Sequence, residues 1–265
     1  MKISNVMEIL NEWAPESDAL EWDNVGLLVG SEEDELTGIL VALDVTAAIA
    51  NEAKELGSNL IISHHPIIFN PLYSLRRDEY PASVIVQLIK NDLSLYTMHT
   101  NLDIAEGGVN ETLAKRLNLK QIKPFNDAEL GSLGRVGELQ SEVRFDDFLK
   151  ELKSALDVES LIYNGDTSQL IRKVALCSGA GGSFIESAIK MNADVFVSSD
   201  FKHSNWLEAG DRIALVNVGH FESEEVVLDS IIDKLGRRMD GVDISIRKAK
   251  SESKPYKLYN SVKNG

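Results

Sequence analysis

The sequence predicts an α/β fold made of two similar α/β lobes, with mixed, largely parallel sheets. Three observations carry this. Short apolar runs rich in Val, Ile and Leu alternate with amphipathic stretches of helical period. The run GILVALDVTAAIANEAKELGSNLIISHH reads as strand, helix, strand, and KVALCSGAGGSFIESAIKMNADVFVSSD repeats that pattern later in the chain. Each unit is followed by a strand that runs into His-x-x-x-acid: His99 to Asp103 in the first copy, His220 to Glu224 in the second.

Taken in order, the N-terminal MKISNVMEILNEWAP places Ile3, Val6, Met7 and Leu10 on one helical stripe. Strands are predicted at 25–29, 38–43, 59–63 and 93–98, with helices at 46–56, 81–91 and 107–117. In the second half, strands are predicted at 133–139, 174–177, 194–198, 213–218 and 242–246. Helices are predicted there at 145–156, 183–191, 204–209 and 222–236. The turn-rich KPFNDAELGSLG, at 123–134, marks the expected boundary. The expected division is a metal-binding lobe of 1–124 with 212–265, and a second α/β lobe of 125–211.

A hydrophobic content of 43% rules out wholesale disorder. No run of eighteen apolar residues is present, so no membrane-spanning helix is expected. The N-terminus lacks the basic start and continuous apolar block of a signal peptide. The single cysteine, Cys177, cannot form an internal disulfide, and a cytoplasmic location is expected. A net charge of −15 argues against general nucleic-acid binding. From Arg247 onward the chain is locally +5, which leaves the body near −20; that tail reads as a solvated extension. An acidic body can still take an anionic substrate if metal cations dominate the local field.

All five histidines, His64, His65, His99, His203 and His220, fall at or just beyond the C-terminal end of a predicted strand. Open α/β sheets gather their ligand sites there. Adjacent residues of an extended chain point to opposite sides, so His64 and His65 suit two ions, or one ion and a substrate, better than one shared ion. Pro66 ends the strand behind them. Asp103 and Glu224 add anionic oxygens that can bridge cations, and a helical turn would bring each onto the same face as the His four residues before it. Three imidazoles with two carboxylates suit Zn, Mn, Fe or Co better than Mg or Ca.

The segments LEWDNVGLLVG, IISHHPIIF, YTMHTNLDIAEGGVN, SGAGGSFIESA and GHFESE together resemble the GTP cyclohydrolase 1 type 2 family, also described as NGG-interacting-factor-like proteins. The likeness runs in order through about residues 1–236. It implies a two-lobed α/β fold, a ring-shaped homohexamer and dinuclear metal sites lining an inner cavity. Its ligand pattern falls on His64, His65, Asp103, His220 and Glu224, implying two divalent ions per chain (Zn, Fe or Mn) held between the lobes. At 265 residues the chain has no room for the mid-chain domain of longer members.

His99 and His203 remain as candidate catalytic proton carriers, since an imidazole titrates near neutrality. Lys202, Arg76 and Arg77 are the nearest candidates for phosphate. The Gly-rich SGAGGS lacks a P-loop lysine and reads as a tight strand-to-helix turn. Trp22, Asp23 and Asn24 are candidates for a cavity wall or a plain turn, and Cys177 is expected to be buried and inert. The leading expectation is a di-metal-dependent hydrolase, GTP cyclohydrolase 1 type 2-like, acting on GTP or a related nucleotide through metal-bound hydroxide. The alternatives are a non-catalytic metal-handling protein and a ring-shaped interaction scaffold.

Overall fold

The computed structural model describes residues 1–125 and 132–257. The first part runs α1 (Ile3–Trp13), β1 (Gly26–Val29), β2 (Gly38–Ala42), α2 (Ala47–Leu56), β3 (Leu60–Ser63), α3 (Ala82–Lys90) and β4 (Ser94–Thr97). α4 (Thr100–Ile104) and α5 (Val109–Arg116) lead on to β5 (Lys120–Pro124). Then come β6 (Arg135–Arg144), α6 (Phe145–Ala155), β7 (Ile162–Tyr163), β8 (Leu170–Ala180), α7 (Ile185–Lys190) and β9 (Val195–Ser199). α8 (His203–Ala209), β10 (Ala214–Asn217), α9 (His220–Glu224), α10 (Val226–Arg238) and β11 (Ser245–Lys248) complete the order.

One sheet has the order β1-β4-β3-β2-β11 and the other β5-β6-β8-β9-β10-β7. Within them, β1-β4-β3-β2 and β7-β10-β9-β8 are the same arrangement. Each has three adjacent parallel strands, with an antiparallel strand beyond the last. The repeat read from two short segments is therefore a repeat of topology.

Burial explains why these runs form central strands. β2, β3 and β4 are buried along their whole length, which an apolar run requires when helices cover both faces. Strand alternation divides them: Ile39, Val41, Leu60 and Ile62 pack with α1 and α10, while Leu40, Ala42, Ile61 and Leu95 pack with α2 and α3. The second sheet repeats the device. Val174, Leu176, Val195 and Val197 face α6, and Ala175, Cys177 and Phe196 face α7. Local signals agree: α2 begins at Thr46, whose hydroxyl accepts from the Ile49 amide, and ends at Gly57 with φ 69°.

Several expectations change. The boundary stretch 123–134 falls partly on 126–131, outside the described residues, but its flanks pair as antiparallel β5 and β6. The chain thus enters the second sheet before residue 125 and stays in it through β10, beyond residue 212. β5 and β7 were not expected; β5 (KQIKP) is mostly exposed and carries no apolar alternation. The helix expected at 222–236 is two helices, α9 and α10. The basic tail is not a solvated extension over its described part, because β11 adds to the first sheet beside β2 and Ala249 is buried. Residues 258–265 of that tail lie outside the described residues. Among the described residues no helix is long and apolar enough to cross a membrane.

The lobes are joined by α5 and Arg135. Val109 of α5 belongs to the first lobe's core, and Leu113 and Ala114 to the second's. Arg135, 4% exposed at the start of β6, donates to the carbonyls of Ile104 at the end of α4 (2.6 Å) and of Ser132 (2.7 Å). Removing this guanidinium leaves buried carbonyls unpaired, at a cost of about 3 kcal/mol. Arg135→Ala is expected to lower the denaturation midpoint accordingly. Arg135→Lys should recover only part of the loss, because one ammonium cannot span the divergent acceptors; urea titration of both variants checks this.

Candidate metal centre

The strand ends converge between the sheets. The His64 and His65 amides continue the β2–β3 ladder by donating to Ala42 O (3.2 Å) and Leu43 O (2.9 Å) before Pro66 turns the chain away. His99 is the residue on which α4 starts, and Asp103 lies in that helix. His220 opens α9 and Glu224 closes it, so both His-x-x-x-acid pairs do sit on a helical turn.

The structure brings His64, His65, His99, Asp103, His220 and Glu224 together. His65 Nε2 and His220 Nε2 lie 2.9 and 3.1 Å from Glu224 Oε2. His64 Nε2 lies 3.9 Å from Glu224 Oε1 and 3.8 Å from Asp103 Oδ1. Among the described residues, two groups of donor atoms are close enough to hold a metal ion: His64 with His65 and His99, and His65 with His220 and Glu224.

Every one of the four central rings has its Nδ1 engaged. His64 Nδ1 meets Met98 O (2.8 Å), His65 Nδ1 meets Asp44 (3.0 Å), His99 Nδ1 meets Asp23 (2.8 Å) and His220 Nδ1 meets Asp200 (2.6 Å). An acceptor at Nδ1 holds the proton there and leaves the Nε2 lone pair facing inward, the arrangement found behind metal-ligating imidazoles. His64 Nε2 is buried without any hydrogen-bond partner. In that tautomer the 2.9 and 3.1 Å contacts at Glu224 are acceptor against acceptor. A metal ion among these atoms removes the conflict, as a second proton on each ring does in its absence, and the donor set fits a metal.

Titration follows the same logic. Burial would depress His65, but hydrogen bonds to Asp44 and Glu224 outweigh it and raise the ring to about 10. The Glu224 hydrogen bond, helped by Asp200, raises His220 against burial to about 9. Burial, with the neighbouring His65 and His99, lowers His64 to about 3 despite the Glu224 charge. Glu224 is pulled down, its burial outweighed by His220 and His65, while burial and the Glu224 charge push Asp103 well above the usual carboxylate range. Asp23, hydrogen-bonded to His99 and Thr100, is lowered to about 2 although burial opposes it.

Asp23, Asp44 and Asp200 face the ring Nδ1 atoms, a part that the sequence did not assign to them; Asp23 was a candidate only for a cavity wall or a turn. Asp44 and Asp200 stand just past strands β2 and β9, the same class of position as the histidines, and that was the available signal. The remaining candidates divide. His203 is exposed at the start of α8, away from the cluster, and is not brought to the site. Arg76 is an exposed residue paired with Asp78 and Glu79. Lys202 lines a separate cavity together with Asp200, Glu186 and Glu208, carboxylates that oppose phosphate there. The SGAGGS turn makes room rather than cradling an anion: Gly179 has φ 60°, and a Cβ on it would lie 2.3 Å from Glu224 Oε1. Cys177 is buried, and its thiol is held up by that burial and by the Asp103 and Glu224 charges.

The centre opens into a cavity of about 540 Å³ lined by His99, Asp103, His220 and Glu224 and by the aromatic rings of Trp22, Phe69 and Phe184. Trp22 and Phe69, 56% and 48% exposed, stand 5.7 Å apart. Asn24 donates to Ile68 O (2.6 Å) and thereby ties their two loops together.

A family model described as Duf34/NIF3 (NGG1p interacting factor 3) matches residues 1–255. The chain belongs to this family. A Clostridium perfringens relative named GTP cyclohydrolase 1 type 2 homolog is 36% identical over 97% of this chain and 100% of its own length. Crystal structures agree in fold. A Staphylococcus aureus hypothetical protein superposes with TM-score 0.89 and 31% identity over 98% of this chain and 99% of its own. A Bacillus cereus protein related to NIF3 does so with TM-score 0.92 and 23% identity over the same shares.

With folded values near 10 and 9 against an ordinary 6.5, His65 and His220 carry protons at neutral pH when no metal is bound. Their contribution to the stability of the metal-free chain is therefore full below pH 6.5 and fades as pH rises through 9 to 10. Metal loading near neutral pH is expected to release protons. Calorimetric titration in buffers of different ionisation enthalpy reads this; an apparent enthalpy independent of the buffer would contradict it.

Proposed function

We propose that this protein binds two divalent cations and is a hydrolase acting on GTP or a related nucleotide, in the manner that the name of its GTP cyclohydrolase 1 type 2 relatives suggests. The observation that carries the reading is Glu224. Its buried carboxylate presents Oε2 to His65 and His220 from 2.9 and 3.1 Å and Oε1 to His64 from 3.9 Å, so its two oxygens serve two different imidazole sets. Of the first donor group, His64 would hold one ion with Asp103 and Glu224 Oε1, leaving His99 for proton transfer, and His65, His220 and Glu224 Oε2 would hold the other. Bound there, divalent cations would polarise a substrate oxygen and lower the pKa of a water at the site.

The chain's own residues supply the rest. Asp23 has a fully buried side chain and is fixed by the Thr100 amide (3.0 Å) and hydroxyl (2.5 Å). It holds the His99 proton on Nδ1, which leaves Nε2 free to accept a proton from water or substrate. Trp22 and Phe69 offer faces on which a planar base can stack at the cavity mouth. An open cavity over the donors favours catalysis over a saturated structural site. The ring-shaped homohexamer is part of the same reading, supported by exposed Ile162 and Tyr163 on the edge strand β7 and by exposed Leu207 on α8.

Metal analysis of purified protein is expected to give two ions per chain, and Glu224→Ala to lose both. GTP turnover by the loaded protein should release formate and stop in His64→Ala. Two retained ions with no turnover of any nucleotide would assign the protein to metal handling, and formate never appearing would remove GTP. Light scattering should give a mass of six chains; a monomer would refute the ring.

A further inference from the structure

The segment after β11 crosses from one side of the centre to the other. β11 pairs in parallel with β2, and the Ala249 amide extends that pairing to Val41 O (2.9 Å). Glu52 of α2 then accepts from the amides of Lys250 and Ser251, both at 2.8 Å. One residue further, Glu252 Oε2 accepts the Leu43 amide at 2.6 Å, immediately before Asp44, the carboxylate that orients His65. The chain next reaches α9. Lys254 Nζ lies 2.6 Å from Glu222 Oε1, and the Tyr256 hydroxyl donates to Glu222 Oε2 at 3.1 Å.

Glu222 is only 7% exposed and stands between His220 and Glu224. Each of its oxygens thus has a partner from this one segment. The fit is close: Gly219, with φ 93°, could not carry a Cβ without approaching Glu222 Oε2 to 2.1 Å and the Tyr256 oxygen to 3.2 Å. α9 has five residues, too few to hold a helix by its own hydrogen bonds, so its direction depends on what it docks against. A buried carboxylate that loses both partners is strongly unfavourable and would pull the helix toward solvent.

We infer that residues 249–257 are a strap that positions the His65–His220–Glu224 set, gripping Leu43 beside Asp44 at one end and Glu222 of α9 at the other. His64 lies outside its reach, its ring held by Met98 O and its backbone by Ala42 O. The strap therefore acts most on the ion of the His65–His220–Glu224 set, and on the other only through Glu224 Oε1. This rests on the two-ion reading above. Lys254, Tyr256 and Glu252 are positioning residues, and none of them lines the cavity over the centre.

Two proteins test it: the full chain carrying Lys254→Met with Tyr256→Phe, and a chain ending at Ala249. With zinc and a competing chelator, the variants should bind one ion about 10- to 100-fold more weakly and lose clearly less affinity for the other. In excess chelator, amide exchange of α9 should quicken in both variants and that of Leu43 in the chain ending at Ala249, with that of β3 and β4 unchanged. Unaltered exchange at α9 and Leu43 overturns the strap, whatever the metal content. Wild-type affinity for both ions in the variants overturns it as well, as does equal weakening of the two. Wild-type protein that takes up only one ion would sink the two-ion reading and the selective effect with it, while the exchange experiment still decides whether the strap holds α9.

Discussion

The buried carboxylate of Glu224, shared among imidazoles of the two lobes, is the constraint around which the rest is arranged. It comes from the second sheet by way of α9, and it meets His64 and His65, which extend from β3 of the first. A carboxylate at that depth is tolerable only when positive charge surrounds it. Both sheets must therefore present their strand ends to one point. The lobes cannot be independent bodies joined by a linker, and α5 and Arg135 reflect this by belonging to the packing of both.

The repeated topology supplies the donors unequally. In the first copy the end of β3 gives two imidazoles, whereas the end of β9 gives Asp200. The equivalent strands β4 and β10 each give a His and an acid on a short helix, and each of those histidines is oriented by a carboxylate: His99 by Asp23 and His220 by Asp200. The second copy thus contributes Asp200 as an orienting group where the first contributes ligand candidates.

Much of this was legible in the sequence. The central strands announce themselves by unbroken apolar runs, and the histidines by standing at strand ends. β5 was not legible because an exposed edge such as KQIKP has no buried face to impose alternation. His203 shared the strand-end position of the others but sits on the exposed end of α8, and no one-dimensional pattern encodes where that end points. Asp23 was visible only as part of a turn, since its partner His99 is 76 residues away. The tail misled for a related reason. Its basic composition suggests solvation, yet Lys248 finds Glu225 between α9 and α10, and Lys254 finds Glu222 on α9, pairings set by the fold.

Because the donors of the His65–His220–Glu224 set are divided between two sheets, the gap between the sheets would act as a caliper for an ion bound there. An ion larger or smaller than the gap must either shift one whole lobe or stretch contacts on one side of Glu224. Packed interiors resist such shifts. Discrimination by ionic radius is then a property of the interlobe contact, remote from any donor atom, and residues such as Arg135 would set it without touching an ion.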